Sequence, residues 1–236
     1  MLYEGCSVGS YVHNILVSYL DWEKLKEQVG YDELPRDKKN ELRFEYDNDA
    51  KYYYEVMKLP KERALFADTV ISFWMPYKRL LQCKAGWSAY KTVKSLERLL
   101  KQTNANWQNN YTAKIDEVNH IFEDFAQICC SKGNYMLLPA RQMNSERACD
   151  EIEDRIDLTL YECFENGKLA RFFETKDILK NWIEEQKLSS IFINGEICRD
   201  KINWFVEEKR PISKMGEGEV CEYLRRAILL IQERNK

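Results

Sequence analysis

Residues 133–164 read GNYMLLPARQMNSERACDEIEDRIDLTLYECF, and the order of elements in this stretch decides the fold class. A short apolar run, residues 135–138, ends at Pro139 and has the length and composition of a buried strand. A polar loop with Arg141, Asn144 and Arg147 is expected next, followed by a helix over residues 150–164. At about 100° per residue, that helix would align Ile152, Ile156, Leu160 and Cys163 as an apolar stripe. Asp150, Asp154, Asp157 and Tyr161 would lie roughly opposite, with Arg155 and Thr159 on the flank of the apolar stripe. Gly133 stands where a glycine commonly ends a preceding helix.

Outward from this stretch, the chain reads as one mixed domain over residues 1–236. The expected class is α+β, predominantly helical, with short β-hairpins and one buried strand. Of 236 residues, 9 are Gly and 5 Pro, too little punctuation for an all-β sandwich or barrel. Hydrophobic residues at 44% and charged residues at 32% indicate a packed core under a solvated surface.

Residues 11–29 carry an amphipathic helical pattern with Ser10 as cap. Leu42, Phe44 and Tyr46 alternate with charged residues, as a half-buried strand would. A turn at Asp47-Asn48-Asp49-Ala50 and an aromatic run over 52–57 complete an expected hairpin, so residues 1–73 form a helix-and-hairpin subregion. A further extended piece is expected at 70–73, and helices at 77–83, from Ser88, and over 111–131. Thr175 caps a helix bearing Ile178, Leu179, Trp182 and Ile183. Asn194-Gly195 marks a hairpin over 190–198, a short helix is expected over 201–208, and the last helix spans 219–233.

The formal net charge of -3 and pI near 5.7 supply no overall basic stripe of the kind that advertises nucleic-acid binding. Eight cysteines contain no Cys-x-x-Cys pair, and the first ten residues lack a secretory pattern. No apolar run approaches the roughly 20 residues of a membrane span. The expectation is a soluble cytoplasmic protein with reduced, mostly structural cysteines. No cofactor and no metal are expected. Cys129-Cys130 has no metal-binding context, and Asp47-Asn48-Asp49 lacks the glycine and distal glutamate of a calcium loop. His13 and His120 have no placed catalytic partner, and the familiar hydrolase, kinase and dehydrogenase signatures are missing.

The plain reading of the acidic stripe is a solvated helix face. The sharper one makes Asp154 and Asp157 order Arg147 or Arg155, whose planar fork would grip a phosphate or carboxylate. Asn144 would orient that anion and Asp68 would join through the fold. The helix N-terminus would add N–H donors, although Asp150 could occupy them itself. Tyr52, Tyr53, Tyr54 and Trp74 are either core or a contact surface for bases or a protein.

These residues resemble a bacterial family known only as a domain of unknown function, over roughly the last two thirds of the chain. The likeness rests on Leu138-Pro139, Met143-Asn144, Arg147, and on Ile152, Asp154, Arg155, Asp157, Leu158, Thr159 and Leu160. Ala67-Asp68-Thr69-Val70-Ile71 and Glu233-Arg234-Asn235 extend it. Ala148 replaces the family's glycine and Ile156 its phenylalanine, and the loop before Ile152 is one residue shorter. The resemblance implies a shared site without naming its purpose.

Missing catalytic signatures favour a macromolecule-binding protein with a protein partner, and a phage or mobile-element inhibitor of a host system fits that description. The alternative is an enzyme or sensor that binds a nucleotide or other phosphorylated small molecule through the Asn/Arg/Asp site. A third reading is a DNA-binding protein with a winged helix over residues 178–208.

Overall fold

The computed structural model describes residues 11–86, 90–104, 116–149, 152, 155–207 and 209–236. Ser10, Ser88, residues 111–115, Asp150, Asp154 and Glu208 therefore lie outside the described residues.

Helix α1 (Tyr11–Val29) buries Val12, Leu16 and Leu20, a four-residue repeat that puts one face inward. It is followed by α2 (Arg36–Tyr46), α3 (Asn48–Lys51), a π-helical turn at Tyr52–Val56 and α4 (Lys61–Ala64). Strand β1 (Ala67–Thr69) leads to α5 (Trp74–Ala85), which ends at Gly86 in the left-handed conformation a glycine adopts without strain. Next come α6 (Val93–Asn104), α7 (Asp116–Ile128) and strand β2 (Tyr135–Leu137). The chain continues through α8 (Arg141–Cys149), α9 (Ile156–Cys163) and α10 (Lys176–Glu185) to α11 (Glu217–Arg234). The class is helix-dominated α+β, as the composition implies.

The two strands pair antiparallel, Ala67 with Leu137, Asp68 with Met136 and Thr69 with Tyr135. Backbone bonds extend the pairing at both ends, Val70 N–H to the Asn134 carbonyl at 2.7 Å and Leu138 N–H to the Phe66 carbonyl at 3.1 Å. Around this ribbon, α1 packs on α6 and α7, and α11 packs on α5 and α7. One apolar cluster runs from Val12 through Phe125 and Met136 to Ile231. Helix α11 contributes most visibly, with Val220, Tyr223, Leu224, Ala227, Leu230 and Ile231 turned inward at helical spacing. The Thr175 hydroxyl caps α10 by accepting from Ile178 N–H at 3.2 Å. Among the described residues, no helix is long and apolar enough to cross a membrane.

Several expectations are corrected. Residues 42–57 form no hairpin. Leu42, Phe44 and Tyr46 do alternate with charges, but α2 buries none of its residues, so no sheet face selects that alternation. Phe44 packs on Tyr54 and Tyr46 on Trp22, pairs that a helical backbone reaches equally well. Asp47, extended at φ −85°, starts a new helix instead of a hairpin turn. The expected loop over 141–149 is helix α8. The extended segment ends at Thr69, and Val70 and Ile71 follow it fully buried.

At Asn194-Gly195, φ values of 55° and 70° supply the two left-handed residues of a tight hairpin turn. The flanking chain then coils into 3-10 turns, and only a single bridge, Phe192 to Ile202, joins the two sides. In place of the helix expected over 201–208, one 3-10 turn at Arg199–Lys201 precedes irregular chain. Gly133 does not terminate a helix by a left-handed conformation. It sits in a 3-10 turn after α7, where a Cβ would overlap the Ile231 carbonyl oxygen and the Asn235 side chain.

Candidate functional site

The Arg155–Asp157 centre begins with where α9 starts. Arg155 is the residue before the first helical turn, at φ −128° and ψ 88°, and its N–H closes a turn onto the Ile152 carbonyl at 2.9 Å. Of the helix expected from residue 150, the described part begins at Ile156, and Asp157 does not join an exposed acidic stripe. Asp157 is not on a solvated face; it and Arg155 are both fully buried. Arg155 Nε and Nη2 donate to Asp157 Oδ1 and Oδ2 at 2.8 and 2.7 Å, the parallel two-bond fork for which guanidinium is shaped.

The same carboxylate accepts Leu158 N–H and Phe205 N–H, both at 2.9 Å. Arg155 Nη1 donates to the Arg210 carbonyl at 2.7 Å, and its guanidinium lies 6.0 Å from the Trp204 ring and 5.9 Å from that of Tyr223. Thr159 Oγ1 returns a bond to the Ile152 carbonyl at 2.8 Å. This constellation joins α9, the 204–210 loop and α11. Its chemistry is that of a structural clasp, since four N–H groups already surround the carboxylate.

The second centre joins Arg147 to Asp68 across 79 residues of sequence. Arg147 is fully buried on α8, while the Asp68 side chain on β1 keeps 16% of its exposure. The two are ion-paired, and Asp68 Oδ1 also accepts Thr69 N–H at 2.9 Å. Burial pushes the Asp68 carboxyl up, opposed first by Arg147 and then by the Thr69 N–H, with Arg43 and Asp47 acting at longer range.

Asp49, at the start of α3, extends this centre. Burial, reinforced by the charges of Asp47 and Asp68, pushes its carboxyl up to about 7. Arg43 Nε donates to Asp47 Oδ2 at 2.6 Å, an i,i+4 pair of α2 and the residue that follows it. Three carboxylates and two arginines thus influence one another where α2, α3, β1 and α8 meet.

Of the expected site residues, Arg155 and Asp157 are brought together, and so are Arg147 and Asp68, as two separate centres. Asn144 lies half-buried on α8, one turn before Arg147. Asp154 lies outside the described residues. Arg43, Asp47 and Asp49 were missed as site residues; an i,i+4 Arg–Asp spacing was present but was hidden by the strand reading of 42–46.

Arg234 was missed too. It is nearly buried in the last turn of α11, with Nε on the Gln186 carbonyl and Nη2 on the Tyr135 carbonyl, each at 2.9 Å, and Nη1 on that of Gly133. Burial lowers its pKa to about 10. Asn235 completes the contact by accepting Gly133 N–H at 2.7 Å.

His13 is half-buried and His120 exposed. Trp74 is buried, whereas Tyr52 and Tyr53 are half-buried and Tyr54 is exposed. Among the described residues, no three His, Cys, Asp or Glu side chains converge as metal ligands would. An open cleft of about 240 Å³ lies beside α11, lined by Ser190, Asn203, Phe205, Arg226, Leu229 and Glu233, and it borders the Arg155–Asp157 centre through Phe205. Set against family models, curated proteins and solved structures, the chain matches none of them.

Proposed function

We propose that this protein binds another protein through the aromatic layer formed by residues 22–57. The observation that carries this reading is that seven aromatic side chains there pack against one another in small groups, tied to the buried core where Tyr52 meets Tyr135. Trp22 contacts Tyr31 and Tyr46, Phe44 contacts Tyr54, and Tyr52 contacts Tyr53. None of the seven is buried, and Tyr46 and Tyr54 are 40% and 45% exposed. Val56 and Met57 stand out further, at 63% and 52%.

Tyrosine and tryptophan presented this way give large contact area for little lost rotamer freedom, which is why they anchor protein interfaces. The π-helical turn over Tyr52–Val56 supports the reading, because such turns concentrate at functional positions. Acidic and basic residues alternate through 21–63, so the layer offers no uniform positive field for a nucleic-acid backbone. Lys26, Lys39 and Lys61 instead lie over Trp22, Tyr31 and Phe44 at 5.7, 5.6 and 4.8 Å. The seven described cysteines are free thiols, which supports a cytoplasmic setting.

Affinity capture from a lysate by the wild-type chain should return one stoichiometric protein, and a Tyr54→Ala/Met57→Ala variant of unchanged melting temperature should lose it. A partner retained by that variant, or nucleic acid recovered in its place, would sink this assignment.

Asp49, raised to about 7, beside Asp68, which burial also raises, supports a second reading, an enzyme or sensor for a phosphorylated small molecule, because carboxyls shifted in this way gather at functional sites. Under that reading a nucleotide or inorganic phosphate raises the melting temperature of the wild type and not of Arg147→Ala. No shift from any anion removes it.

A further inference from the structure

We propose that Cys129 and Cys130 form a vicinal dithiol that a hydroperoxide converts reversibly to a disulfide. The pair sits in the turn that follows α7. Cys129 is buried and Cys130 is exposed as a residue, which places Cys130 nearer to solvent of the two. Their Sγ atoms are 3.8 Å apart, in contact, and a disulfide between adjacent residues closes a small ring that twists the intervening peptide. Cys83, Cys149 and Cys198 are exposed as well, and among the described residues none of them has a sulfur partner.

The surroundings divide the two roles. The Cys129 thiol points toward the Ala126 carbonyl at 3.5 Å and toward Cys130 Sγ. Contact with the Cys129 sulfur lowers the pKa of the Cys130 thiol, with help from the Asn48 side chain and against burial and the charge of Asp49. The same contact and burial raise the Cys129 thiol. Cys130 is therefore the attacking sulfur and Cys129 the resolving one.

In the first step the Cys130 thiolate attacks the outer oxygen of the hydroperoxide. An S–O bond forms as the O–O bond breaks, and the departing alkoxide or hydroxide takes a proton to leave as alcohol or water. In the second step Cys129 gives up its proton and attacks the sulfenic sulfur. The S–S bond forms as the S–O bond breaks, and the sulfenic oxygen leaves as water. Two thiols are oxidised by one peroxide, and a dithiol reductant reverses the balance.

Closing the ring bends a peptide unit that is tied on both sides. The Cys129 carbonyl accepts from Asn134 Nδ2 at 2.7 Å, and the Cys130 carbonyl accepts from the Tyr135 hydroxyl. Asn134 is fully buried and also bonds both backbone groups of Ile71, at 2.9 Å to its N–H and 3.0 Å to its carbonyl. A strained disulfide of this kind is the easily reduced sort.

The full-length chain is treated with hydrogen peroxide, its remaining thiols are alkylated, and peptides are weighed. The expected product is a peptide spanning residues 129–130 that is lighter by two hydrogens, carries no alkyl group, and is restored by dithiothreitol. A second measurement needs no variant: phenylarsine oxide, which bridges two adjacent thiols with loss of water, should bind at one equivalent and protect both cysteines from alkylation. Cys130→Ser should slow peroxide-dependent thiol loss by at least an order of magnitude, whereas Cys83→Ser should not. Oxygen added to Cys130 while Cys129 still alkylates would overturn the proposal. So would a disulfide from either residue to Cys83, Cys149 or Cys198, or an unchanged rate in Cys130→Ser.

Discussion

Two arginine–aspartate pairs hold this fold, and they differ in almost every physical respect. Arg155 and Asp157 are two residues apart, wholly buried, and satisfied by a fork of two bonds plus backbone donors from Leu158 and Phe205. Arg147 and Asp68 meet across 79 residues, and their neighbours include two further carboxylates, Asp47 and Asp49. The local pair is electrically complete. The distant pair belongs to a group in which negative charge is crowded and protons can be exchanged near neutrality. A buried ion pair is thus a fixed fastener where it stands alone among its donors, and part of a titrating group where further carboxylates crowd it.

The largest effect should come from breaking the local pair. Asp157→Ala leaves a guanidinium buried without its carboxylate and is expected to destabilise the fold by about 3–5 kcal/mol, read as a lower urea midpoint. Replacing both partners together, Arg155→Met with Asp157→Leu, should cost less than the single change, because no charge is then stranded. A double variant as unstable as the single one would contradict the clasp description.

Arg147→Ala should cost less, about 2 kcal/mol, since Asp68 keeps some contact with water and can take up a proton. The smallest effect is a change of pH profile. Asp49 and Asp68 have folded-state pKa values above the ordinary carboxyl value, so the native chain holds protons that the unfolded chain has released. The Asp49 contribution is fully present below pH ~4 and is lost as pH rises toward about 7, and that of Asp68 is lost in the same direction. Urea midpoints of the wild type should fall across that window, and Asp49→Asn should flatten the fall. A slope that Asp49→Asn leaves intact would assign the titration elsewhere.

The parts of the fold that were legible in the sequence are those where burial and local preference agree. The inward face of α11 repeats at helical spacing, β2 is a short apolar run closed by Pro139, and the Thr175 hydroxyl caps α10 as its position suggests. Asn194-Gly195 specifies its own backbone angles correctly, yet a turn alone does not supply the cross-strand packing that would extend a ladder beyond Phe192 and Ile202. Leu42, Phe44 and Tyr46 misled because alternation identifies a strand only where one face is buried.

The candidate site was half legible. Asp154-Arg155-x-Asp157 stood out by composition, but its meaning turned on where α9 begins. A start at Ile156 makes Arg155 a boundary residue whose side chain folds back onto Asp157. Element boundaries of that kind depend on tertiary partners, here the Phe205 N–H and the Arg210 carbonyl, which no local pattern contains. The segments around Asp68, Arg155 and Arg234 all make buried or nearly buried contacts that tie distant parts of the chain together.

The contact of Arg234 with Gly133 and Tyr135 also sets an order in time. Gly133 and Arg234 are separated by 101 residues, so a ribosome working at ~5–20 residues per second needs about 5–20 s to supply the second after the first. Throughout that interval the carbonyls of Gly133 and Tyr135 lack the guanidinium that later receives them. The ribbon of β1 and β2 therefore reaches its final hydrogen bonding only after α11 has been synthesised, and a nascent chain stalled before Arg234 exposes this seam.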